Sequence, residues 1–159
     1  GYLADQKLNE IYRNPSQFLS KASKFSATVT PDFSILSDMP TYQRIRSVVQ
    51  SREIGAYLQT HGINVIPNIR WAELTDLNFI IDGLPKSSTI CVSTQGIIRD
   101  HSLRKIFIDG LANVLSELSP SQLIIYGTAP NELDLSAWID LEILNFPTDF
   151  NVLMSKAAS

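Results

Sequence analysis

The sequence predicts an α/β fold, with a mostly parallel sheet of four or five strands flanked by helices. Short apolar runs alternate along the chain with segments of helical periodicity, and this alternation favours right-handed crossovers between parallel strands. The predicted strands are residues 25–29, 63–69, 89–93 and 122–126, with a fifth candidate around residues 141–144. An open sandwich and a partial barrel both satisfy this pattern.

Each of the first four runs ends in polar or small residues, which is the second observation behind the prediction. The clusters are Thr-Pro-Asp at 30–32, Asn-Ile-Arg-Trp at 68–71, Ser-Thr-Gln-Gly at 93–96 and Tyr-Gly-Thr at 126–128. Because parallel strands share one carboxyl edge, we expect all four clusters at the rim where α/β folds place their ligands.

Residues 1–24 are predicted to form two short helices that pack on the rest of the α/β domain. Leu8, Ile11 and Tyr12 lie at helical spacing, and Pro15 suits the first position of a second helix with Asn14 as its cap. We interpret residues 1–159 as a single α/β domain that ends in a flexible tail at residues 154–159.

The two longest predicted helices follow the first and third strands. Residues 41–60 form the first, which is expected to stop at Gly62 in a left-handed conformation. Its buried side is expected to carry Ile45, Val48, Val49 and Ala56. The second helix keeps a 3.6-residue apolar period from residue 103 to residue 118, which is the strongest helical pattern in the chain.

The composition disfavours several classes of protein. A formal net charge of -3 argues against broad binding of nucleic-acid phosphates, which needs clustered Lys and Arg. Two short basic stretches, at residues 44–52 and 99–105, are interpreted as solvated helix faces. The single Cys91, the lack of a membrane-span-length apolar run and the lack of a signal-peptide pattern together predict a cytoplasmic protein.

No cofactor signature is present in the sequence. Neither His61 nor His101 lies in a spacing used for zinc or iron, so no protein-held transition metal is expected. A Mg²⁺ site that combines Asp32 with Asp38 or Glu73 has no support from spacing. Phosphate-loop and nucleophile-elbow patterns are also missing, so the cofactor stays unspecified.

Asp32 and Arg70 are the candidate catalytic residues at the predicted rim. Asp32 suits a general base or a hydroxyl-binding group, and capping of its own loop is the structural alternative. Arg70 suits a clamp for phosphate or carboxylate, and the alternative is an ion pair with Asp32, Asp38 or Glu73. Since Asn68 and Arg70 alternate along the strand, they are expected on the same side.

Asn68, Trp71, Ser93, Thr94 and Tyr126 form the candidate ligand-binding set. Trp71 suits stacking on a planar ligand, although a core position, which needs no ligand, is the commoner role of such a residue. Ser93 and Thr94 suit hydrogen bonding to an anion near the start of the next helix, although a structural loop explains them as well.

Several of these stretches together resemble the DUF4417 domain family of bacteriophages and other bacterial mobile elements. The resemblance is carried by TPDFS at 30–34, DMP at 38–40, GINVIPNIRW at 62–71, FIIDGLPK at 79–86 and STQG at 93–96, with QLIIYG at 122–127 as the closing strand. It covers about residues 8–130. The resemblance implies an intracellular protein associated with a phage or plasmid, in a family without an established activity.

Two classes of function follow from these observations. The first is a small-ligand site, catalytic or not, for a nucleotide- or phosphate-like molecule at the strand ends. The second is a non-enzymatic accessory or inhibitor that binds a host or phage protein, such as a defence component, through an apolar patch at Leu135, Trp138 and Ile139. Nucleic acid and membrane are not expected partners, and a second copy of the chain is left open.

Overall fold

The computed structural model describes residues 2–147, with side chains from residue 6 onwards. Its contacts divide the chain into two compact units, which are Gly1–Asp82 (unit 1) and Gly83–Ser159 (unit 2). The tail predicted at residues 154–159 lies outside the described residues.

Three helices and three short strands make up most of unit 1. The helices are α1 (Tyr2–Arg13), α2 (Pro15–Ala22) and α3 (Thr41–Thr60), followed by a 3-10 turn at Leu74–Asp76 and a short helix α4 (Leu77–Ile80). The strands are β1 (Thr28–Val29), β2 (Val65–Ile66) and β3 (Asn68–Ile69). Because Pro67 has no N–H group to donate to a ladder, the single predicted strand at 63–69 is divided into β2 and β3.

The first two helices pack on α3 through apolar residues that lie at helical spacing. Ala22, Phe33, Ile54 and Leu58 are buried together. The half-buried side chains around this cluster include Leu8, Ile11, Tyr12, Phe18 and Leu19 of α1 and α2. Pro15 is the first residue of α2, and Asn14 precedes it without a capping side-chain bond. Instead, Oδ1 of the Asn14 side chain accepts a hydrogen bond from the Ser16 hydroxyl at 2.6 Å.

The predicted buried side of α3 is wrong. Ile45 and Val49 are 39% and 46% exposed. The buried positions of α3 are instead Arg44, Gln50, Ser51, Ile54, Gly55 and Leu58. Polar residues are tolerated there because they find partners, as where the Ser51 hydroxyl donates to the Pro31 carbonyl at 2.8 Å. The predicted stop of α3 is confirmed, since Gly62 has a φ of 77°.

Unit 2 contains one long helix and a parallel three-strand run. β4 (Thr89–Ser93) pairs with β5 (Gln122–Tyr126), and β5 pairs with β6 (Glu142–Phe146), all in parallel. Helix α5 (His101–Leu118) is capped at its N-terminus by Asp100, whose carboxylate accepts from the N–H groups of Ser102 and Leu103. Its buried residues are Phe107, Gly110, Leu111, Val114, Leu115 and Leu118, as the apolar period predicts.

The predicted α/β class is confirmed. The strand pairs within each unit, β1 with β2, β4 with β5 and β5 with β6, are parallel. Helix α3 lies between β1 and β2 in the chain, and α5 lies between β4 and β5. The third and fourth predicted strands match β4 and β5 residue for residue, and the fifth candidate is β6. None of the helices within residues 2–147 has the combination of length and apolar character that a membrane crossing requires.

Candidate functional site

The ends of β1 and β2 are joined by a buried polar network in unit 1. The Thr30 N–H donates to the Ile66 carbonyl at 2.9 Å and so extends the parallel pairing beyond β1. The Thr30 hydroxyl accepts from the Asn68 N–H at 2.9 Å and lies 3.0 Å from the Ser51 hydroxyl. Ser51 in turn donates to the Pro31 carbonyl at 2.8 Å, which fixes the loop after β1 against α3.

Asp32 is the centre of the candidate site in unit 1. Its Oδ1 accepts from the Asn68 side-chain amide at 2.8 Å, and its Oδ2 accepts from the Arg70 guanidinium at 2.7 Å. The Arg70 and Asp32 side chains are 20% and 31% exposed. Asn68 and Arg70 therefore reach the same carboxylate, in agreement with the predicted alternation. The predicted alternative for Arg70, an ion pair with Asp32, is present.

Helix α3 approaches this network closely at Gly55. A Cβ atom built on Gly55 lies 2.9 Å from Cγ2 of Thr30, a separation that real Cβ atoms essentially never show. Glycine is therefore the residue that lets α3 carry Ser51 to within hydrogen-bonding distance of Thr30. Nothing in the local sequence pattern predicts this contact, since Gly55 reads there only as a weak helix former.

Trp71 follows Arg70 and is only 8% exposed. This burial favours the core interpretation of Trp71 over stacking on a ligand. The segment that follows is held to α3 by a buried ion pair between Arg44 and Asp76, with contacts of 2.9 and 3.1 Å. The Asp76 side chain is 1% exposed and also accepts from the N–H groups of Ala72 and Glu73 at 3.0 Å.

The interpretation of residues 44–52 as a solvated basic face is wrong for Arg44 and Arg52. Burial acts to lower the pKa of Arg44, but the Glu73 hydrogen bond and the charges of Asp76 and Glu73 outweigh it and raise that pKa overall. Arg52 donates to the carbonyls of Ile80 and Asp82, and burial lowers its pKa. The sequence signal that could have indicated this anchor is the Glu-x-x-Asp spacing of Glu73 and Asp76, which form reciprocal capping bonds at the start of the 3-10 turn.

The other strand-end residues lie in unit 2 and bond one another. The Thr94 N–H donates to the Tyr126 carbonyl at 3.0 Å, so the ends of β4 and β5 meet at one edge as predicted. The Ser93 hydroxyl accepts from the Gln95 N–H at 3.3 Å. Ser93 and Thr94 are 5% and 1% exposed. Ligand binding by Ser93, Thr94 and Tyr126 stays a prediction, and their bonds within unit 2 close the turn after β4.

The described part of the chain contains no cluster of metal-binding side chains. Within residues 2–147 no group of three or more His, Cys, Asp or Glu side chains could hold a metal ion. Glu73, which was considered with Asp32 as a Mg²⁺ ligand, lies 3.1 Å from Arg44. His61 lies at the end of α3, where its ring is 4.4 Å from that of Tyr57 between centroids.

Comparison with known proteins places these features in a family. The fold and the polar strand ends define an α/β domain without a recognisable catalytic signature. A family model described as a domain of unknown function, DUF4417, matches residues 1–147, and the chain belongs to this family. The resemblance noted from the sequence is confirmed.

The relatives of the chain include two phage proteins. It is 32% identical over 149 residues to the "Gene 1 protein" of Mycobacterium phage L5, covering 92% of this chain and 63% of the relative. It is 33% identical over 126 residues to the "Gene 1 protein" of Mycobacterium phage D29, covering 79% of this chain and 47% of the relative. The chain therefore spans less than two thirds of the length of either phage protein, and no solved structure matches it.

Proposed function

We propose that this phage-associated domain binds a small phosphate-bearing or nucleotide-like ligand at the strand ends of unit 1, in the cytoplasm of the bacterial host. The observation that carries the proposal is the Asp32–Arg70 pair, which joins two opposite charges at 2.7 Å while both side chains keep contact with solvent. A purely structural ion pair gains little at such partial exposure, because water screens the attraction. We therefore interpret the Asp32–Arg70 pair as part of a ligand-binding site rather than as a structural ion pair.

The chemistry of binding follows from the donors at this point. The planar guanidinium of Arg70 matches the geometry of a phosphate or carboxylate, and the Asn68 amide adds a neutral donor beside it. An anion that contacts Arg70 competes with Asp32 for the same donor. The Asp32 carboxylate then becomes able to accept hydrogen bonds from ligand hydroxyl groups, such as those of a ribose.

Binding is better supported than catalysis by Asp32. Both oxygens of the Asp32 carboxylate accept hydrogen bonds in the structure, from Asn68 and Arg70. A general base needs an acceptor position within about 3 Å of the substrate proton. Asn68 and Arg70 already occupy one position on each oxygen, and a ligand that draws Arg70 away would open one of them. Ser93, Thr94 and Tyr126 are proposed ligand contacts within unit 2.

The first experiment is native mass spectrometry of the freshly purified chain, followed by denaturing extraction of any bound small molecule. We expect a nucleotide- or phosphate-like mass that is lost in Arg70→Gln and Asp32→Asn. The matched control is Arg104→Gln, which breaks an ion pair of similar exposure within unit 2, with Glu132 at 3.2 Å. A clean unliganded mass, together with a loss of several degrees of melting temperature in Arg70→Gln, would assign Asp32 and Arg70 a structural role.

A second candidate function, binding of a host or phage protein, is favoured by an exposed apolar stripe on α3. Tyr42, Ile45 and Val49 are 68%, 39% and 46% exposed, at the three- and four-residue spacing of one helix face. Of the patch considered from the sequence, Ile139 is 91% exposed. Leu135 and Trp138 are half-buried.

The α3 stripe makes this second candidate testable by itself. Capture from host lysate should yield a stoichiometric partner that is lost with Val49→Asp and retained with Ile139→Asp. Recovery of the same partner with Val49→Asp would exclude the stripe as the binding surface. Failure to recover any partner with the unaltered chain would remove this candidate.

A further inference from the structure

Strand β6 lies at an edge of the unit 2 strands, with β5 on one side only in the described part of the chain. The Glu142 N–H donates to the Ser121 carbonyl at 3.2 Å, and the Phe146 carbonyl accepts from the Gly127 N–H at 2.8 Å. In a parallel ladder, every second residue of a strand bonds the same neighbour through both its N–H and its C=O. Glu142, Leu144 and Phe146 are therefore the residues of β6 whose backbone faces β5.

Ile143 and Asn145 consequently direct their backbone N–H and C=O groups away from β5. Neither has a backbone partner among residues 2–147. The groups on either side of them are not free to pair, because the Leu141 N–H donates to the Trp138 carbonyl at 3.1 Å and Pro147 has no N–H. The outer edge of β6 thus offers the pairing groups of two residues only.

The side chains along this edge do little to protect it. Ile143 and Phe146 are 42% and 50% exposed, and Glu142 is the one charged residue in the strand. Natural proteins usually blunt an exposed edge with several charges, a proline within the strand or a bulge, because open edges pair with other strands. An apolar edge with open backbone groups is therefore a surface for strand addition.

We propose that β6 pairs antiparallel with β6 of a second copy of this chain, about a twofold axis at Leu144. In this register Ile143 bonds Asn145 of the second copy, and Asn145 bonds Ile143 of the second copy, so the outward N–H and C=O groups of both residues are used in each copy. An axis at Ile143 would need the occupied N–H of Leu141, and an axis at Asn145 would need the missing N–H of Pro147.

The charges of the edge also suit this register. Glu142 lies opposite Phe146 of the second copy, so the two Glu142 carboxylates stand at opposite ends of the paired strands. Like charges directly opposite one another would destabilise such a pair, and this register avoids them. Leu144 faces Leu144 of the second copy, which joins two half-buried apolar side chains at the axis.

The register predicts a specific disulfide. Residues at a non-hydrogen-bonded antiparallel position have Cα atoms about 4.5 Å apart, which lies within the range that a disulfide bridges. The full chain carrying Leu144→Cys should therefore form a covalent dimer on mild oxidation. Ile143→Cys is the matched control, since it faces Asn145 of the second copy, and the unaltered chain with its buried Cys91 reports background crosslinking.

Sedimentation of the full chain tests the association itself. The unaltered chain and Asn145→Ser should form dimers, whereas Asn145→Pro should dimerise about tenfold more weakly or worse, because it removes one outward N–H from each copy. Proline is tolerated at an outward edge position, so the circular dichroism of Asn145→Pro should not change. Ile143→Lys provides the same test if Asn145→Pro does not fold.

Three results would overturn the proposal. They are a monomeric unaltered chain at every concentration, equal association of Asn145→Pro and Asn145→Ser, and crosslinking of Ile143→Cys as readily as Leu144→Cys. The first would mean that another segment or partner occupies the edge. The test does not involve Asp32 or Arg70, so its outcome is independent of ligand binding in unit 1.

Discussion

The Asp32 carboxylate accepts hydrogen bonds from two side chains. Both belong to the segment that begins 36 residues later in the chain, at Asn68. Asn68 and Arg70 reach the carboxylate because residues two apart in a strand lie on one face. The pair keeps contact with water, so its contribution to folding is small while its charges remain accessible. This combination is what distinguishes the Asp32–Arg70 pair from the buried Arg44–Asp76 pair.

Loss of the Asp32–Arg70 pair should therefore alter stability only slightly. We expect Arg70→Gln to lower the free energy of unfolding by no more than about 1 kcal/mol, since partly exposed ion pairs are screened by solvent. Urea denaturation of Arg70→Gln beside Arg104→Gln measures this directly. A loss of several kcal/mol for Arg70→Gln alone would show that the fold depends on the pair.

Gly55 offers a second test at the scale of a single residue. Gly55→Ala should destabilise the chain by about 1–3 kcal/mol, because its Cβ would lie 2.9 Å from Thr30 Cγ2 in a well-packed region. Adding Thr30→Ser removes that methyl group and keeps the hydroxyl, so it should recover most of the loss. If the double variant is no more stable than Gly55→Ala, the clash with Thr30 is not the cause.

At the scale of elements, α3 is the helix that organises unit 1. It buries Ile54 and Leu58 against the first two helices, Ser51 against the loop after β1, and Arg44 against the 3-10 turn. Two arginines on α3 thus hold the segment that follows β3. The contacts of Ser51 and Arg44 are polar. Their effect on stability therefore depends on hydrogen-bond geometry and burial more than on the surface area that they bury.

Asp76 should be the most sensitive polar position of this arrangement. Its carboxylate is 1% exposed and joins Arg44 to the turn, so Asp76→Ala leaves a buried guanidinium without its main partner. We expect a loss of about 3–5 kcal/mol in the free energy of unfolding. Glu73→Gln is the control, since that side chain is 45% exposed and should cost far less. Similar losses for the two variants would contradict a special role for Asp76.

For the whole chain, the net charge of -3 and the titrating groups set the response to pH. The Glu53 hydrogen bond, followed by burial, raises the pKa of Tyr12 above its ordinary 10.0. The backbone N–H of Glu132 and its neighbour Arg104 hold the pKa of Glu132 below 4.5, and the Ser136 N–H holds the pKa of Asp134 below 3.8. The titration of Tyr12 therefore affects stability at alkaline pH, and the titration of Glu132 and Asp134 affects it at acid pH.

The sign of each contribution follows from linkage. A raised Tyr12 pKa means that its stabilisation is complete below pH 10 and is lost as pH rises through the folded value. Lowered carboxylate pKa values mean that their stabilisation is present above about pH 4.5 and is lost as pH falls. Urea midpoints across pH should therefore fall in both directions. Tyr12→Phe should flatten only the alkaline side, and Glu132→Gln only the acid side, by small amounts because these groups are exposed.

The sequence by itself determined those elements whose apolar residues repeat with the period of their structure. Helix α5 and strands β4 and β5 match their predicted bounds closely, because their buried positions are apolar and can be read from the period. The sequence also determined the family, and it named the ion pair of Arg70 with Asp32 as one of two alternatives. The expectation that polar residues at strand ends lie close together also holds within unit 1, where Asp32 contacts Asn68 and Arg70.

Only the tertiary structure decided which face of α3 is buried and which charges are internal. Arg44 and Asp76 are 32 residues apart, and each would be unfavourable in the interior without the other. A hydrophobic pattern records the preference of one residue for water or for the interior, and it holds no information about a distant polar partner. The exposed Ile45 and Val49 and the buried Arg44 and Ser51 therefore depend on contacts that form only when α3 meets the loop after β1 and the turn at residues 74–76.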